Sequence, residues 1–438
     1  SGIFATPGEI AKSIASPWGI LFVWILCGGI TLMPSLVTAE LATRFPKAGG
    51  EYQYLKEAYG EFAAFFFGWS ATVFVIGAGG GTIAAALGDF AADLLGLRYT
   101  WASPALGCAG LIAVTILNAL GLRAGAITQN LLTTLKVVAL LAIGVGAMIV
   151  SQRFLPVAAP ATERSDTAIP FGVLVLAALP AFWSFTGTTD SARLAEEIKD
   201  VHRALPRALL GSALLITIVY VIYNYALLCA LSPAEMAGQR SVPALIFEGS
   251  VAGKVIVLAS VLICLGAVSA CMLANVRVTY ALARDGLTFR FLSRMSRNQA
   301  PVGALVLGAA IACFFVLNRS FPQILRIYFL ASAVLFGLTY LSLIVFRVRD
   351  RRAGRSFPRD AFKAPGGVVI SVVLIAMEIA IAVYLVAEDV RSWSGAASEK
   401  SYDSLYTLAV LAAMALFYLV WKWATRGSAT RDAGRGDA

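Results

Sequence analysis

The sequence predicts an all-α membrane protein, and three observations lead to this fold class. Of the 438 residues, 59% are hydrophobic and only 14% are charged, whereas soluble globular domains have about 25% charged residues. The apolar residues form runs of roughly 20, the length that a helix needs to cross a hydrocarbon core of about 30 Å. Lys and Arg concentrate between alternate runs. We therefore expect one polytopic transmembrane domain over residues 1–424, followed by a polar tail over 425–438.

The apolar runs follow one another closely along the chain. A short piece from Ser1 to about Ala15 precedes Pro17. As a helix this piece would measure only about 20 Å, so we interpret it as the second half of span 1 and expect the first half to be missing from this chain. Spans 2 to 12 are then predicted at residues 18–43, 60–95, 102–120, 126–150, 171–196, 208–231, 254–283, 302–317, 321–346, 366–386 and 405–421.

The positive charge indicates an orientation. Most of the 35 Lys and Arg residues fall in the loops after spans 2, 4, 6, 8 and 10 and in the tail. Because cytoplasmic loops of membrane proteins are enriched in Lys and Arg, these loops and the C-terminus are predicted to be cytoplasmic. The net charge of +10 therefore follows from the enrichment of Lys and Arg in the cytoplasmic loops of a protein whose partner is the lipid bilayer. No nucleic-acid partner is expected.

Cysteine and histidine usage excludes several kinds of site. All six Cys lie inside apolar runs, and the single His, His202, lies in a polar loop. This pattern argues against a disulfide framework and against a metal site. The chain has no G-x-x-x-x-G-K-[ST] motif, so nothing indicates that ATP drives the protein. We expect no cofactor and no catalysis.

Two segments interrupt the helical pattern at similar depth, Ser1–Phe4 and 185–189. Gly and Thr weaken a helix, and unwound backbone at membrane depth is tolerated where it lines a cavity or is buried in protein. Its free N–H groups suit a carboxylate and its carbonyls suit an ammonium. Interrupted helices at matching places in two halves of a chain indicate a transporter binding site. The alternative is that Gly187 only permits close helix packing.

We place two cations inside the spans, Lys136 and Arg277. Lys136 lies ten residues into span 5, about 15 Å deep, where a Lys costs about 2.5–3.5 kcal/mol. A functional role and a buried structural pairing both remain open for it. Arg277 lies about two turns from the cytoplasmic end of span 8, where it either snorkels or, with Glu40, forms an inner gate.

Several motifs resemble those of the amino acid–polyamine–organocation superfamily, near its L-type amino acid transporters and bacterial permeases. They run from residue 1 to about residue 300. These are S-G-I-F at 1–4, A-E-L at 39–41, F-P-K-A-G-G-E-Y at 45–52, F-T-G at 185–187, E-E-I-K-D at 196–200, L-P-R-A at 205–208 and Y-A-L-A-R-D-G at 280–286.

The resemblance implies a leucine-transporter-type fold, with two inverted five-helix repeats plus two extra helices. The first repeat would cover residues 1–150 and the second 171–346, with the extra spans at 366–424. It also implies a secondary transporter, a symporter or antiporter, that carries an amino acid across the plasma or inner membrane by alternating access.

The resemblance also implies site residues. The substrate carboxylate would meet the N–H groups of Ser1, Gly2 and Ile3, and its amine the carbonyls around Ser184 and Phe185. Phe185 falls at the family's aromatic gate.

The sequence departs from the family at two places. Thr186 and Thr188, on either side of Gly187, replace residues that are common in relatives, which leaves the substrate side chain open. The stretch 96–104 contains no Cys, so no disulfide-linked heavy subunit is expected.

Lys136 matches the point where sodium-coupled relatives bind an ion. We expect its ammonium to substitute for that ion, near Ser269, or its proton to couple transport. A polyamine or organic-amine transporter, a nutrient sensor that does not transport, and a channel remain the alternatives.

Overall fold

The computed structural model of this protein describes residues 2–4, 6–120, 122–157, 169–239, 241–297, 299–394 and 400–433. Every regular element in these ranges is a helix. The α-helices, numbered along the chain, are α1 (Thr6–Ser13), α2 (Pro17–Arg44), α3 (Glu51–Tyr59), α4 (Glu61–Ser70), α5 (Gly79–Leu95), α6 (Ala102–Ala119), α7 (Leu122–Ser151), α8 (Phe171–Phe185), α9 (Val201–Ala230), α10 (Pro233–Met236), α11 (Val242–Ile246), α12 (Val251–Arg284), α13 (Val302–Asn318), α14 (Phe321–Arg352), α15 (Gly367–Ser394) and α16 (Asp403–Ala433).

Ten stretches of helix within the described ranges are long and apolar enough to cross a membrane. The first is α2 and the last is the portion Asp403–Thr425 of α16. Helix α13 is equally apolar but has 17 residues. The prediction of an all-α, multi-pass membrane protein is therefore confirmed.

Local sequence signals explain where several spans begin. Ser16 caps α2, since its hydroxyl accepts a hydrogen bond from the Gly19 amide at 3.3 Å, and Pro17 occupies the first helical position. The Ser16 hydroxyl pairs with one of the free N–H groups of the first helical turn. Pro17 has no N–H group that would need a partner. Helix α14 begins in the same way, with a capping box between Ser320 and Gln323.

The observed helices depart from the predicted spans at four places. Helix α3 occupies a stretch that we predicted as loop, because its nine residues are too few to resemble a span. Helix α9 begins at Val201 rather than at residue 208. Span 6 contains α8 only to Phe185, followed by a 3-10 helix, Asp190–Glu197. Helix α16 continues to Ala433, well into the predicted tail.

A π-helix, Ala71–Ala78, joins α4 to α5 within one continuous span, Glu61–Leu95. The span continues into three glycines, Gly79–Gly81. Each meets a neighbouring helix closely: a Cβ on Gly79 would lie 3.3 Å from the Tyr328 ring, and one on Gly80 would lie 2.5 Å from the Met272 methyl. The glycines therefore permit α12 and α14 to approach this span at its centre.

The packing of the bundle brings the interrupted segments to its interior. The 3-10 helix Gly2–Phe4 and α1 both lie against α8, which also packs on α2. We call the end of the bundle at Arg44, Arg284 and Arg352 the basic end, since α2, α12 and α14 finish there, and the other end the opposite end.

Candidate functional site

The break in span 6 lies at the carboxyl end of α8. The Thr186 amide makes the last helical hydrogen bond, to the Phe182 carbonyl at 3.0 Å, and the Thr186 hydroxyl donates to the Trp183 carbonyl at 2.7 Å. Gly187 then takes φ of +89°, a conformation that glycine adopts without steric cost. The chain resumes as a 3-10 helix at Asp190. The helix interruption predicted at 185–189 is present, and it begins directly after Phe185.

The first interrupted segment lies directly against this break. Gly2, Ile3 and Phe4 form one turn of 3-10 helix, and all three are buried. The Thr6 hydroxyl lies 3.0 Å from the Ser184 hydroxyl. A Cβ on Gly2 would lie 2.7 Å from Cδ1 of Trp183, so only glycine fits there without moving the indole. Ser1, the other predicted ligand of the substrate carboxylate, lies outside the described residues.

The predicted residues at the break differ in exposure. Ser184 and Phe185 are buried, Thr186 and Gly187 are exposed, and Thr188 is half-buried. The Ser184 carbonyl, predicted to meet a substrate amine, accepts a hydrogen bond from the Tyr220 hydroxyl at 3.1 Å. A carbonyl oxygen has two lone pairs, so one remains for a further donor.

Phe185 lies in an aromatic cluster behind the break. Its ring centroid is 6.0 Å from that of Trp24 in α2 and 5.2 Å from that of Tyr220 in α9, and the residue is 2% exposed. These contacts are those of a core aromatic that holds α8 against α2 and α9. None of these contacts supports the gate role predicted for Phe185, which remains a prediction.

Trp183 occupies the position next to the first interrupted segment instead. Its ring makes an edge contact with the ring of Tyr328 in α14, with centroids 5.0 Å apart. The indole also lies beside the backbone of Gly2. Tyr328 in turn lies beside Gly79 of α5. A short row of aromatic rings thus connects the interrupted segments to α5 and α14. The sequence analysis did not identify Trp183 or Tyr328, although Trp183 stands two residues before Phe185.

Lys136 lies half-buried on α7, a helix that packs against α12. It makes no ion pair with any described residue. The Ser269 hydroxyl donates to the Asn118 side chain at 2.8 Å, and Asn118 donates back to the Ser269 carbonyl at 3.3 Å. The Ser269 hydroxyl, predicted to lie near Lys136, is therefore engaged by α6.

Arg193 forms the most buried charged cluster at the basic end. Its side chain is 2% exposed and binds both carboxylate oxygens of Glu51, at 2.8 and 3.0 Å. It also donates to Asp190 and to Asn275 of α12. The loop before α3 closes over it, since a Cβ on Gly50 would lie 2.8 Å from its side chain. This cluster ties the segment after the break to α3 and α12.

Two further ion-pair groups lie at the basic end. Glu40 is fully buried and binds Arg347 of α14 at 3.0 and 2.5 Å, with Arg44 at 3.3 Å. Arg277, 3% exposed, binds Glu197 at 2.7 Å. The two residues predicted as a possible inner gate, Glu40 and Arg277, therefore belong to separate groups and do not pair with each other.

A cavity of about 560 Å³ opens at the opposite end. Its wall includes charged side chains from α1, α5 and the segments that follow α5 and α13, namely Glu9, Asp89, Asp93, Arg98 and Arg319. The cavity reaches Ala85 of α5, and the glycines of that helix lie one to two turns deeper. The described residues contain no cluster of His, Cys, Asp or Glu that could hold a metal ion.

Comparison with known proteins gives the family. The amino acid permease family matches residues 1–417. The chain is similar to the b(0,+)-type amino acid transporter 1 of Mus musculus, with 25% identity over 98% of this chain and 86% of that protein. It is 29% identical to the serine/threonine exchanger SteT of Bacillus subtilis over 82% of each chain. It is 30% identical to the human Asc-type amino acid transporter 1 over 80% of this chain and 68% of that protein.

The chain therefore belongs to the amino acid permease family. The predicted membership in the amino acid–polyamine–organocation superfamily is confirmed. So is the expectation of a membrane transport protein rather than an enzyme, because the family and the relatives named are transporters.

Proposed function

We propose that this member of the amino acid permease family is a secondary amino acid transporter that works by alternating access. One observation carries the proposal: two interrupted helical segments, Gly2–Phe4 and 186–189, lie side by side, joined by the hydrogen bond between Thr6 and Ser184. Unwound backbone at this depth supplies N–H and carbonyl groups that a zwitterion matches. Relatives named as amino acid transporters and as an exchanger support the substrate class.

The substrate would bind across the two breaks. The N–H groups of Ser1, Gly2 and Ile3 would hold its carboxylate, and the carbonyls around Ser184 and Phe185 its amine. The side chain of the substrate would then face Thr186 and Thr188, whose hydroxyl groups suit a small or polar side chain. This placement follows the family resemblance, and the hydrogen bond that brings the two breaks together supports it.

For the gate we propose Trp183 alongside Phe185. The indole lies between the Gly2 segment and Tyr328 of α14, so its movement would open or close the space between them. Phe185 lies behind α8 against Trp24 and Tyr220. Replacing each aromatic separately will decide which one covers the substrate.

The chain also offers the two gates that alternating access requires. The basic end is closed by the Arg193, Arg277 and Glu40 groups, while the cavity opens at the opposite end. We assign the basic end and the C-terminus to the cytoplasm, since Lys and Arg are enriched there. On this assignment, transport would require the Arg193 cluster to separate so that the substrate can leave on the cytoplasmic side.

We further propose the two inverted repeats, residues 1–150 and 171–346, with the spans at 366–424 outside them. Lys136 then lies in the last span of the first repeat, on α7, which packs against α12 of the second repeat. A fixed ammonium there would brace the two repeats without a sodium ion. No disulfide-linked partner is proposed.

The test is uptake of labelled amino acids into proteoliposomes that contain the full chain. A transporter will show saturable uptake that unlabelled amino acid inside the vesicles accelerates. Binding without flux would instead identify a sensor, and flux without that acceleration a channel. Equal uptake of decarboxylated amines would favour the polyamine alternative.

A further inference from the structure

Glu378 lies alone in the middle of an apolar span. Helix α15 carries no other charged residue between its start at Gly367 and Ala387. Glu378 stands eleven residues from that start, about 16 Å along the helix, which is close to the midplane of a core of about 30 Å. The sequence analysis counted Lys136 and Arg277 as intramembrane charges and overlooked this carboxyl group.

The carboxyl groups that are buried in the described ranges have partners, whereas the half-buried Glu378 has none among these residues. Glu40 and Glu51 each bind an arginine, as described above. Asp389 binds Arg326 at 2.6 Å and Asp403 lies 3.8 Å from Arg319. Within the described part of the chain, no ion pair or hydrogen bond involves the Glu378 side chain.

Glu378 faces the seam where α15 packs on α14 and α2. Leu374, one turn earlier on the same helix, packs in a cluster with Tyr340 and Leu343 of α14 and with Val37 of α2. Glu378 itself is half-buried, one turn beyond Leu374 on the same side of the helix. The carboxyl group therefore lies at the edge of this seam.

Few charged groups face this seam. From α14 they are Tyr340, which is titratable, and Arg347, which is two turns further towards the basic end. From α2 they are Glu40 and Arg44, which Arg347 and Asp350 bind. Helix α16 carries no charged side chain between residues 404 and 421, and Glu388 and Asp389 of α15 itself lie near the opposite end. Among the described residues, no cation is therefore in place to pair with an ionised Glu378.

An unpaired carboxylate in such a setting takes up a proton rather than remain charged, because burying an isolated ion is far more costly than burying the neutral acid. Arg347 is the nearest cation along the seam, and it is held by Glu40 and by the Ala364 carbonyl at 2.8 Å. Arg347 also lies next to the first residue of α15, since a Cβ on Gly367 would be 2.8 Å from its guanidinium. Opening of the basic end would break this arrangement and admit water, or Arg347 itself, to the carboxyl group.

We propose that Glu378 is a proton-binding site, loaded while the basic end is closed and emptied when it opens. The inference rests on the proposed transport function for its physiological meaning: one proton would cross with each opening, so a proton gradient would drive accumulation of substrate. The proton-binding site itself does not depend on what is transported.

Infrared spectroscopy of the purified, reconstituted chain tests the site directly. At neutral pH the wild type should show the carbonyl-stretch band of a protonated carboxyl group, and Glu378→Gln should lose it. Glu388→Gln is the matched control, since Glu388 lies on the same helix but near its end and within 4.0 Å of Arg391, and it should keep the band. Equal spectra for wild type and Glu378→Gln would overturn the proposal.

A second variant tests the link to the basic end. Arg347→Gln removes one of the two arginine partners of Glu40 and should hydrate the seam. Subtracting the spectrum of the Arg347→Gln/Glu378→Gln double variant isolates the Glu378 band, which should disappear at lower pH than in the wild type. An unchanged or raised midpoint would overturn the link. In proteoliposomes without sodium, a proton gradient should drive accumulation by wild type and Glu388→Gln, whereas Glu378→Gln should only equilibrate the substrate. Accumulation by Glu378→Gln equal to wild type would overturn the coupling. Absence of any wild-type flux would instead count against the transport function, while the infrared result would still decide the site.

Discussion

The hydroxyl groups of Thr6 and Ser184 lie 3.0 Å apart, and they join two helices that are separated by 178 positions in the sequence. Both side chains are buried, and each stands next to the point where its helix is interrupted. A single hydrogen bond therefore fixes the two unwound segments relative to each other.

The first prediction concerns the glycine beside Trp183. Gly2→Ala places a methyl group where only 2.7 Å is available, so the indole must move and uptake should fall at least tenfold. Gly29→Ala is the control, since a Cβ at Gly29 meets nothing within 4 Å, and its uptake should equal that of the wild type. Initial rates in proteoliposomes measure both. Wild-type rates for Gly2→Ala would mean that the substrate does not use this segment.

The second prediction separates the two aromatic residues. Trp183→Ala should raise the KM for substrate, because it removes the ring between the two interrupted segments. Phe185→Ala removes a core aromatic residue and should lower the free energy of unfolding by about 3–5 kcal/mol, the usual cost of replacing a buried Phe by Ala. Melting in detergent and uptake kinetics distinguish the effects. The opposite pattern would restore Phe185 as the gate.

The third prediction concerns the buried ion pair at the basic end. Glu51→Gln leaves Arg193 with one carboxylate fewer, and breaking a buried pair costs about 3–5 kcal/mol. The closed arrangement should weaken, and Cys271, which contacts Asn275 at 3.4 Å, should react faster with a water-soluble thiol reagent. The reporter is a chain whose other five Cys are replaced by Ala.

Lys56→Gln is the control for this variant. It breaks the half-exposed pair between Lys56 and Asp285, which is worth much less because water solvates it. Its Cys271 reactivity should match that of the unaltered reporter. If Glu51→Gln also leaves the reactivity unchanged, the Arg193 cluster does not hold the basic end closed.

The fourth prediction concerns Lys136. Lys136→Ala should nearly abolish transport and leave the protein folded, because the ammonium makes no ion pair with any described residue and its loss leaves no carboxylate unpaired. Lys12→Ala, which removes an exposed pair with Glu9, should transport normally. Full activity of Lys136→Ala would remove this residue from the mechanism.

The fifth prediction concerns substrate class. The N–H groups of Gly2 and Ile3 select a carboxylate, so neutral α-amino acids should inhibit uptake at lower concentrations than the amines formed by their decarboxylation. Competition against a labelled amino acid measures this preference. Equal inhibition by the amines would point to the polyamine alternative.

The sequence predicted the spans well because membrane helices need long apolar runs, and each run here is nearly continuous. It located the break in span 6 because Thr186 and Gly187 interrupt such a run. Helix α3 was missed since its buried residues, among them Tyr52 and Tyr54, are interspersed with charged ones, which a search for apolar runs does not detect.

The partners of the charged residues were harder to predict, because they depend on distances between helices. Arg193 appeared only as one of many cytoplasmic cations, yet it is the most buried of them. Glu40 and Arg277 were grouped because both lie near the basic end, but the turn that each occupies directs it to a different neighbour. Glu378 shows the reverse case, since its position within an apolar run was visible without any structure.

The π-helical turns between Ala71 and Ala78 contain more residues than the same number of α-helical turns would. A π turn closes its hydrogen bonds one residue later than an α turn does. Loss of one residue within 71–78 would therefore be absorbed by a return to α geometry, and Gly79 would still face Tyr328. The same loss at any later point before Leu95 would rotate everything beyond it by about 100°. The π-helix is thus the place where this span can change its length without changing its angular phase.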